Sequence, residues 1–533
     1  MNRLEVRVKA GDKASFHNQV DYCIGTGRMG LALHKEYHDQ LKMAQDYIGF
    51  QHIRGHGLFC DDMGIYQQHK DNPWDPECPY EVEYNFTYLD RVMDDYRSMG
   101  LKPFLELGFM PYKMASGTQT IFYWKGNTTP PKDYEDWKKM VQALLRHLIE
   151  RYGEDAYTFP IEVWNEPNLP GFWYKADMDE YFKLFKESFY AIKEVSEKFR
   201  VGGPAVCGGT DEKWISAFME FCHVNKIPVD FVTRHHYTTE LPERAGHYGY
   251  AELMNEEDGF ANLKTTRDII DKYDEYRGLQ IHITEYNTSY IPNCPLHDTN
   301  QNAAYIAKQL SRLGDGNESY SYWTFGDVFE EQGIPFTPFH GGFGLIANGC
   351  IPKPTFWTFV FFKNLKRAEG ECVLKNDNAV IMKMKDGSFR GVLWNDTKHR
   401  AGNDMVMNLS LETEAGEYCI LTKRVDEDTC NPLKLWHDIG EPANPDQATT
   451  DLIKEAAQPF VRTIRRKAEA GNGTDMAAGN GVDGDGKAAG NGAAGVLAFD
   501  VELKENAVVY FEAKKAPVKS DRGYRYDHVT QQG

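Results

Sequence analysis

The sequence predicts an α/β chain: a (β/α)8 barrel followed by a C-terminal antiparallel β-sandwich. Three observations carry this. Eight short apolar segments alternate with amphipathic helical stretches, and polar clusters recur where those segments end. After Pro354 the apolar spacing changes to period two. At 533 residues the chain exceeds one ordinary core, so two or more domains are expected.

Residues 3–9 read as a lone strand. Barrel strands are predicted at Asp21–Ile24, Phe50–Arg54, Pro103–Gly108, Phe159–Trp164, Arg200–Pro204, Phe231–His235, Gln280–Glu285 and Tyr320–Thr324. Helices are predicted between them at Tyr134–Tyr152, Asp177–Phe199, Glu212–Val224, Leu263–Tyr276 and Asn302–Leu313, with Phe356–Leu365 closing the ring. A doubly wound sheet is the competitor, and Gly25-Thr26-Gly27-Arg28-Met29-Gly30 does hold a G-x-G-x-x-G pattern. No acidic ribose partner follows at the right spacing, so the pattern is set aside.

Sandwich strands are expected at Glu371–Lys383, Arg390–Asn395, Asp404–Leu411, Glu417–Leu421, Val496–Leu503 and Ala507–Glu512, with turns such as Lys385-Asp386-Gly387. Asp446–Arg466 reads as helix. Gly471–Gly495 is rich in Gly, Ala, Asn and Asp with little to bury, which predicts a mobile loop. The resulting division gives residues 1–13 and 367–533 to the sandwich and 14–366 to the barrel.

Composition excludes several function classes. A net charge of −19 disfavours nucleic acid and anionic membranes, and no apolar run approaches the roughly 20 residues needed to span a bilayer. Ten scattered cysteines without a C-x-x-C pair argue against structural zinc and a disulfide framework. The first residues lack the apolar stretch of a signal peptide. A cytoplasmic chain with free thiols, assembling as a homo-oligomer, is expected, with no metal and no cofactor.

Two stretches share one grammar. Ile161-Glu162-Val163-Trp164-Asn165-Glu166-Pro167 and Ile281-His282-Ile283-Thr284-Glu285-Tyr286-Asn287 each end an apolar strand in a glutamate with an asparagine close by. Pro167 makes strand continuation costly. Two carboxylates at two strand ends are the minimum kit for cleaving a glycosidic bond. Glu166 is expected as acid/base, held protonated by the charge of Glu285 and partial burial. Glu285 is expected as nucleophile, with Arg54 and Tyr237 for company. Asn165 can bond the sugar 2-hydroxyl, and Glu162 reads as a buried, paired carboxylate.

Other positions keep two readings. His235 and His236 point to opposite faces of a strand, so a substrate hydroxyl suits His235 better than a shared metal. Phe122, Phe172 and Trp323 are core residues or stacking walls for sugar rings. Glu330 and Glu331 are a solvated face or a grip on terminal hydroxyls, and His340 is structural or site-lining.

With Trp164-Asn165-Glu166-Pro167-Asn168 and Ile283-Thr284-Glu285-Tyr286-Asn287 in hand, the chain resembles glycoside hydrolase family 39, in particular its bacterial β-xylosidases. His52-Ile53-Arg54-Gly55-His56-Gly57, Phe122-Tyr123-Trp124, Thr233-Arg234-His235, Ser321-Tyr322-Trp323-Thr324, Val328-Phe329-Glu330-Glu331 and Phe339-His340-Gly341-Gly342-Phe343 extend the match. The resemblance implies a (β/α)8 TIM barrel, retention of configuration and release of xylose from the non-reducing end of β-1,4-xylo-oligosaccharides. It implies Glu166 as acid/base, Glu285 as nucleophile, and sugar contacts from His56, Phe122, Asn165, Phe172, His235, Tyr237, Trp323 and Glu330 or Glu331. The segment 471–495 departs from the family pattern. An iduronidase-like glycosidase and a non-catalytic carbohydrate-binding protein are the alternatives.

Overall fold

The structure, a computed structural model, describes residues 2–367, 369–397, 402–470 and 494–517, together with 528 and 530. Strand β1 (Asn2–Val8) precedes the barrel. The barrel strands are β2 (Cys23–Thr26), β3 (His52–Gly55), β4 (Lys102–Leu107), β5 (Ile161–Val163), β6 (Val201–Val206), β7 (Phe231–Tyr237), β8 (Gln280–Asn287) and β9 (Ser319–Tyr322). They pair in parallel and in chain order, and Ser321 of β9 meets Cys23 of β2 to close the ring. Closure rules out the doubly wound competitor. Gly25 sits inside this ring, where an added Cβ would lie 2.6 Å from the Trp323 indole.

The connecting helices follow from their apolar spacing. Tyr134–Tyr152 buries Trp137, Met140, Val141, Leu144, Leu145 and Leu148, all on one face. The Asp133 side chain accepts from the Glu135 N–H at its start, a cap worth about 1 kcal/mol. Inside the barrel, Cys23, Phe104 and Phe231 plug the lower layer, and His282 packs edge-on against both phenyl rings. Side chains above this plug are polar, because they face the mouth.

The second sheet comprises β10 (Gly370–Asn376), β11 (Ala379–Met384), β12 (Phe389–Trp394), β13 (Met405–Glu414), β14 (Gly416–Val425), β15 (Phe460–Ala470), β16 (Ala494–Leu503) and β17 (Val508–Lys515). Together with β1 they run in the order β1-β13-β16-β15-β14-β17-β12-β11-β10. All pairs are antiparallel except β1 with β13, whose register runs from Asn2 opposite Met405 to Val8 opposite Leu411. Strict alternation along β16 buries Leu497, Phe499, Val501 and Leu503. They join Val6, Leu409 and Phe511 in one core, which fits a β-sandwich.

Two expectations are corrected. The helix predicted over Asp446–Arg466 ends at Ala456, and Phe460–Ala470 is strand β15, paired with β14 from Arg424 opposite Phe460. Pro459 explains the break, since the residue before a proline is pushed out of helical backbone. Glu371–Lys383 is a hairpin of two strands rather than one. The expected loop 471–495 lies outside the described residues up to 493, and Ala494 and Gly495 begin β16. All ten cysteines are free thiols. Among the described residues no helix is long and apolar enough to cross a membrane.

Candidate active site

Arg54, on β3, is the hub of the barrel mouth and is wholly buried. Its Nε and Nη2 donate to Glu162 Oε2 at 2.8 and 2.6 Å, and Nη1 donates to Glu285 Oε1 at 2.5 Å. Nη2 also donates to Asn165 Oδ1 at 2.9 Å and stands 2.9 Å from Glu106 Oε2. Burial opposes the charge, but Glu162, Glu106 and Glu285 outweigh it and hold the guanidinium above its ordinary value. A planar cation with five donors suits three carboxylates at once.

Glu106 reaches on to His56 Nδ1 at 2.7 Å. Burial disfavours charge on both partners, yet their attraction wins. The imidazole is held above its usual value and the carboxyl below.

Glu166 follows β5 on left-handed backbone, with φ of 43°, two residues after Trp164 at 71°. Such conformations cost on the order of 1–3 kcal/mol each outside glycine and cluster at functional sites. Here they turn the carboxyl inward, and the Glu166 N–H is anchored on the Ala205 carbonyl at 3.0 Å. The β7–β8 register slips after Arg234 and Ile283, so His235 pairs with Glu285 rather than Thr284. Bulges re-aim side chains in this way. His235 Nδ1 then lies 2.8 Å from Glu166 Oε1 and 3.4 Å from Glu285 Oε2. His236 bonds Gln309 on the opposite face.

One oxygen of Glu166, one of Glu285 and a His235 nitrogen all lie within 4.8 Å of one another. Tyr237 donates to Glu285 Oε2 at 2.7 Å. Burial pushes Glu166 up to about 7; His56 and Arg54 pull it back and Glu106 adds to the rise. The expected cause was Glu285 with partial burial. Burial dominates instead, and the reinforcing anion is Glu106. Burial also drives His235 down to about 4, so its imidazole is neutral. The trio has spacing that could hold a cation, as do His69, Asp71 and Glu81 on an exposed ribbon. Arg54 already supplies positive charge to the first, which a second cation would oppose.

A cavity of about 520 Å³ opens over the pair, lined among the candidates by His56, Asn165, Phe172, Tyr237, Trp323 and Glu331. Trp323 is buried, 4.7 Å from the His56 ring and 5.8 Å from the Arg54 guanidinium. Phe122 stands behind this wall, 5.9 Å from His56 and 5.3 Å from Phe172. Glu330 turns away to Arg28 at 2.9 Å. His340 lines a neighbouring cavity of about 250 Å³ and bonds the Thr337 carbonyl.

A closed parallel barrel carrying two facing glutamates at its mouth is an arrangement found in many sugar-cleaving enzymes. The sequence profile of glycosyl hydrolases family 39 matches residues 4–474. The chain belongs to glycosyl hydrolases family 39. It is a glycoside hydrolase, and the alternative of a binding protein without catalysis falls away.

This family 39 enzyme is 46% identical over 474 residues to a β-xylosidase of Geobacillus stearothermophilus, covering 87% of this chain and 91% of the relative. It is 35% identical over 456 residues to a β-xylosidase of Caldicellulosiruptor saccharolyticus, covering 84% and 88%. The crystal structure of a monomeric β-xylosidase from Caulobacter crescentus superposes with a TM-score of 0.81 at 28% identity, covering 96% of this chain and 100% of the other.

Sequence reasoning missed part of this site. Glu106, inside the predicted strand Pro103–Gly108, is the link between Arg54 and His56, a role no motif marks. Leu169, Cys207, Leu241 and Tyr290 line the cavity from loops whose residue types carry no pattern.

Proposed function

We propose that this family 39 enzyme is a retaining, exo-acting β-1,4-xylosidase that releases xylose from the non-reducing end of xylo-oligosaccharides. The observation that carries the reading is the facing pair, with oxygens of Glu166 and Glu285 inside 4.8 Å. Retaining enzymes need carboxyl groups about 5–5.5 Å apart, whereas inverting ones need about 6.5–9.5 Å to admit a water. Kinship with two proteins named β-xylosidases supports xylose as the sugar.

In the first step a Glu285 oxygen attacks the anomeric carbon, forming an ester as the glycosidic C–O bond breaks. The Glu166 proton passes to the leaving oxygen. In the second step the Glu166 carboxylate takes a proton from water, whose oxygen displaces Glu285 and restores the original configuration. Arg54 and Tyr237 hold the nucleophile by one oxygen each. With its Oδ1 on Arg54, Asn165 keeps its amide nitrogen for the sugar 2-hydroxyl.

Exo action rests on the wall of His56 and Trp323 and on Glu331. Burial pushes Glu331 up to about 8; His56 pulls it back and Glu285 and Glu166 raise it further, so at neutral pH it carries a proton to donate to a terminal hydroxyl. An iduronidase-like role would need a free cation for the uronate, and Arg54 is spent on three carboxylates.

The test is hydrolysis of phenyl β-D-xyloside and xylotetraose followed by proton NMR. β-Xylose as the first-formed product is expected. α-Xylose, or xylobiose cut from the middle of the chain, would overturn the reading. Light scattering on a sizing column decides whether the homo-oligomer expected from the sequence forms, given a relative described as monomeric.

A further inference from the structure

Arg234 is as buried as Arg54 but is not used up. Its relative exposure is 1%. Nη1 lies 2.7 Å from Asp211 Oδ1 and donates to the Asn262 carbonyl at 2.9 Å and to Thr266 Oγ1 at 3.0 Å, while Nε donates to the His235 carbonyl at 3.2 Å. Nη2 makes no hydrogen bond among the described residues. Nη2 is not a sealed atom left without a partner; it is open to the cavity and can donate there.

Nη2 lies beside Gly208. A Cβ added to Gly208 would sit 3.1 Å from it. Gly208 and Arg234 both line the cavity that holds the glutamate pair. Its lining includes Leu169, Phe172, Cys207, Gly208 and Arg234, and the segment before Gly208 is tied to the Glu166 loop: Glu166 N–H donates to the Ala205 carbonyl at 3.0 Å and Cys207 N–H to Asn168 Oδ1 at 3.2 Å. An acid that protonates the leaving oxygen must face the leaving group, so the wall beside the Glu166 loop is the leaving-group side.

We propose that Arg234 Nη2, reached past Gly208, binds a hydroxyl oxygen of the sugar ring that departs. The inference rests on the xylosidase reading above. The ligand is a neutral sugar hydroxyl rather than an anion, because Asp211 already balances the guanidinium charge and leaves the donor without net charge to attract a carboxylate. Leu169 and Phe172 supply apolar surface for the ring's faces. Arg234 touches no reacting atom in this scheme. It is a specificity residue for the leaving sugar.

The test compares kcat/KM for xylobiose, whose departing ring has hydroxyls, with that for phenyl β-D-xyloside, whose departing ring has none. Two variants are needed: Gly208→Ala, which crowds Nη2 and keeps the Arg234–Asp211 pair, and the double variant Arg234→Met with Asp211→Asn, which removes the pair without stranding a buried charge. Wild-type cleavage of both substrates is measured first and carries the underlying reading. The ratio of xylobiose to phenyl xyloside kcat/KM is expected to fall about tenfold in either variant, the size of one lost hydrogen bond to a charged donor. A ratio unchanged in both, whether or not overall activity drops, overturns the leaving-sugar site and leaves the xylosidase reading standing.

Discussion

Glu166 Oε1 and His235 Nδ1 meet at 2.8 Å at the wall of the cavity, the imidazole wholly buried and the carboxyl nearly so. Burial acts on the two in opposite electrical directions and to the same end, an acid that keeps its proton and an imidazole that refuses one. The pair is therefore neutral just where a general acid must start.

The alkaline limb of kcat/KM follows from this. Loss of the Glu166 proton near pH 7 is expected to cut turnover of substrates with poor leaving groups. Glu331 also holds a proton, up to about 8, so the Glu331→Gln variant separates them. The limb near 7 is expected to persist in that variant. Its disappearance would assign the limb to Glu331 instead.

Stability should respond with the same sign. The folded protein keeps on Glu166 a proton that the unfolded chain releases near its ordinary value. The resulting stabilisation is complete below about 4.5 and is lost as pH rises through about 7. Unfolding temperatures of wild type and Glu166→Gln, measured from pH 4 to 9, are expected to diverge, with the wild type falling more steeply. Parallel curves would contradict the assignment.

Arg54→Lys should be far from conservative. An ammonium cannot reach Glu162, Glu106 and Glu285 in the geometry of a planar fork. Breaking a buried ionic cluster costs about 3–5 kcal/mol, and denaturant unfolding is expected to show a loss of that order together with a collapse in turnover. A loss below about 1 kcal/mol, the worth of a surface pair, would deny Arg54 its role as hub.

Removing the acid should discriminate between substrates. Glu166→Ala is expected to slow xylobiose far more than an activated aryl xyloside, whose leaving group departs without a proton. Equal losses on both would point to misplacement of the whole site.

Much of this was legible beforehand, for definable reasons. A β-strand buried on both faces leaves a run such as Ile161-Glu162-Val163, and a proline after the glutamate marks where it must end. The strand ends, and with them Arg54, His56, Glu166 and Glu285, could be read directly. Distances across the ring could not, because the Glu106 bridge between Arg54 and His56 depends on which strands become neighbours. The slip that sets His235 beside Glu285 lies between strands and leaves no mark on either one. The Asp446–Arg466 helix misled because its first half is helical and its basic second half stays exposed on both faces even when paired with β14, so no alternation marks it as strand. Arg234 looked like part of a motif, and only its position between two helices revealed an open donor.

Chemical rescue of Glu285→Ala tests the central claim most directly. Without its nucleophile the enzyme should be inert on phenyl β-D-xyloside, and added azide, entering the vacated space, should yield α-xylosyl azide. Unaided turnover at the wild-type rate, or an azide product of β configuration, would contradict the assignment of Glu285.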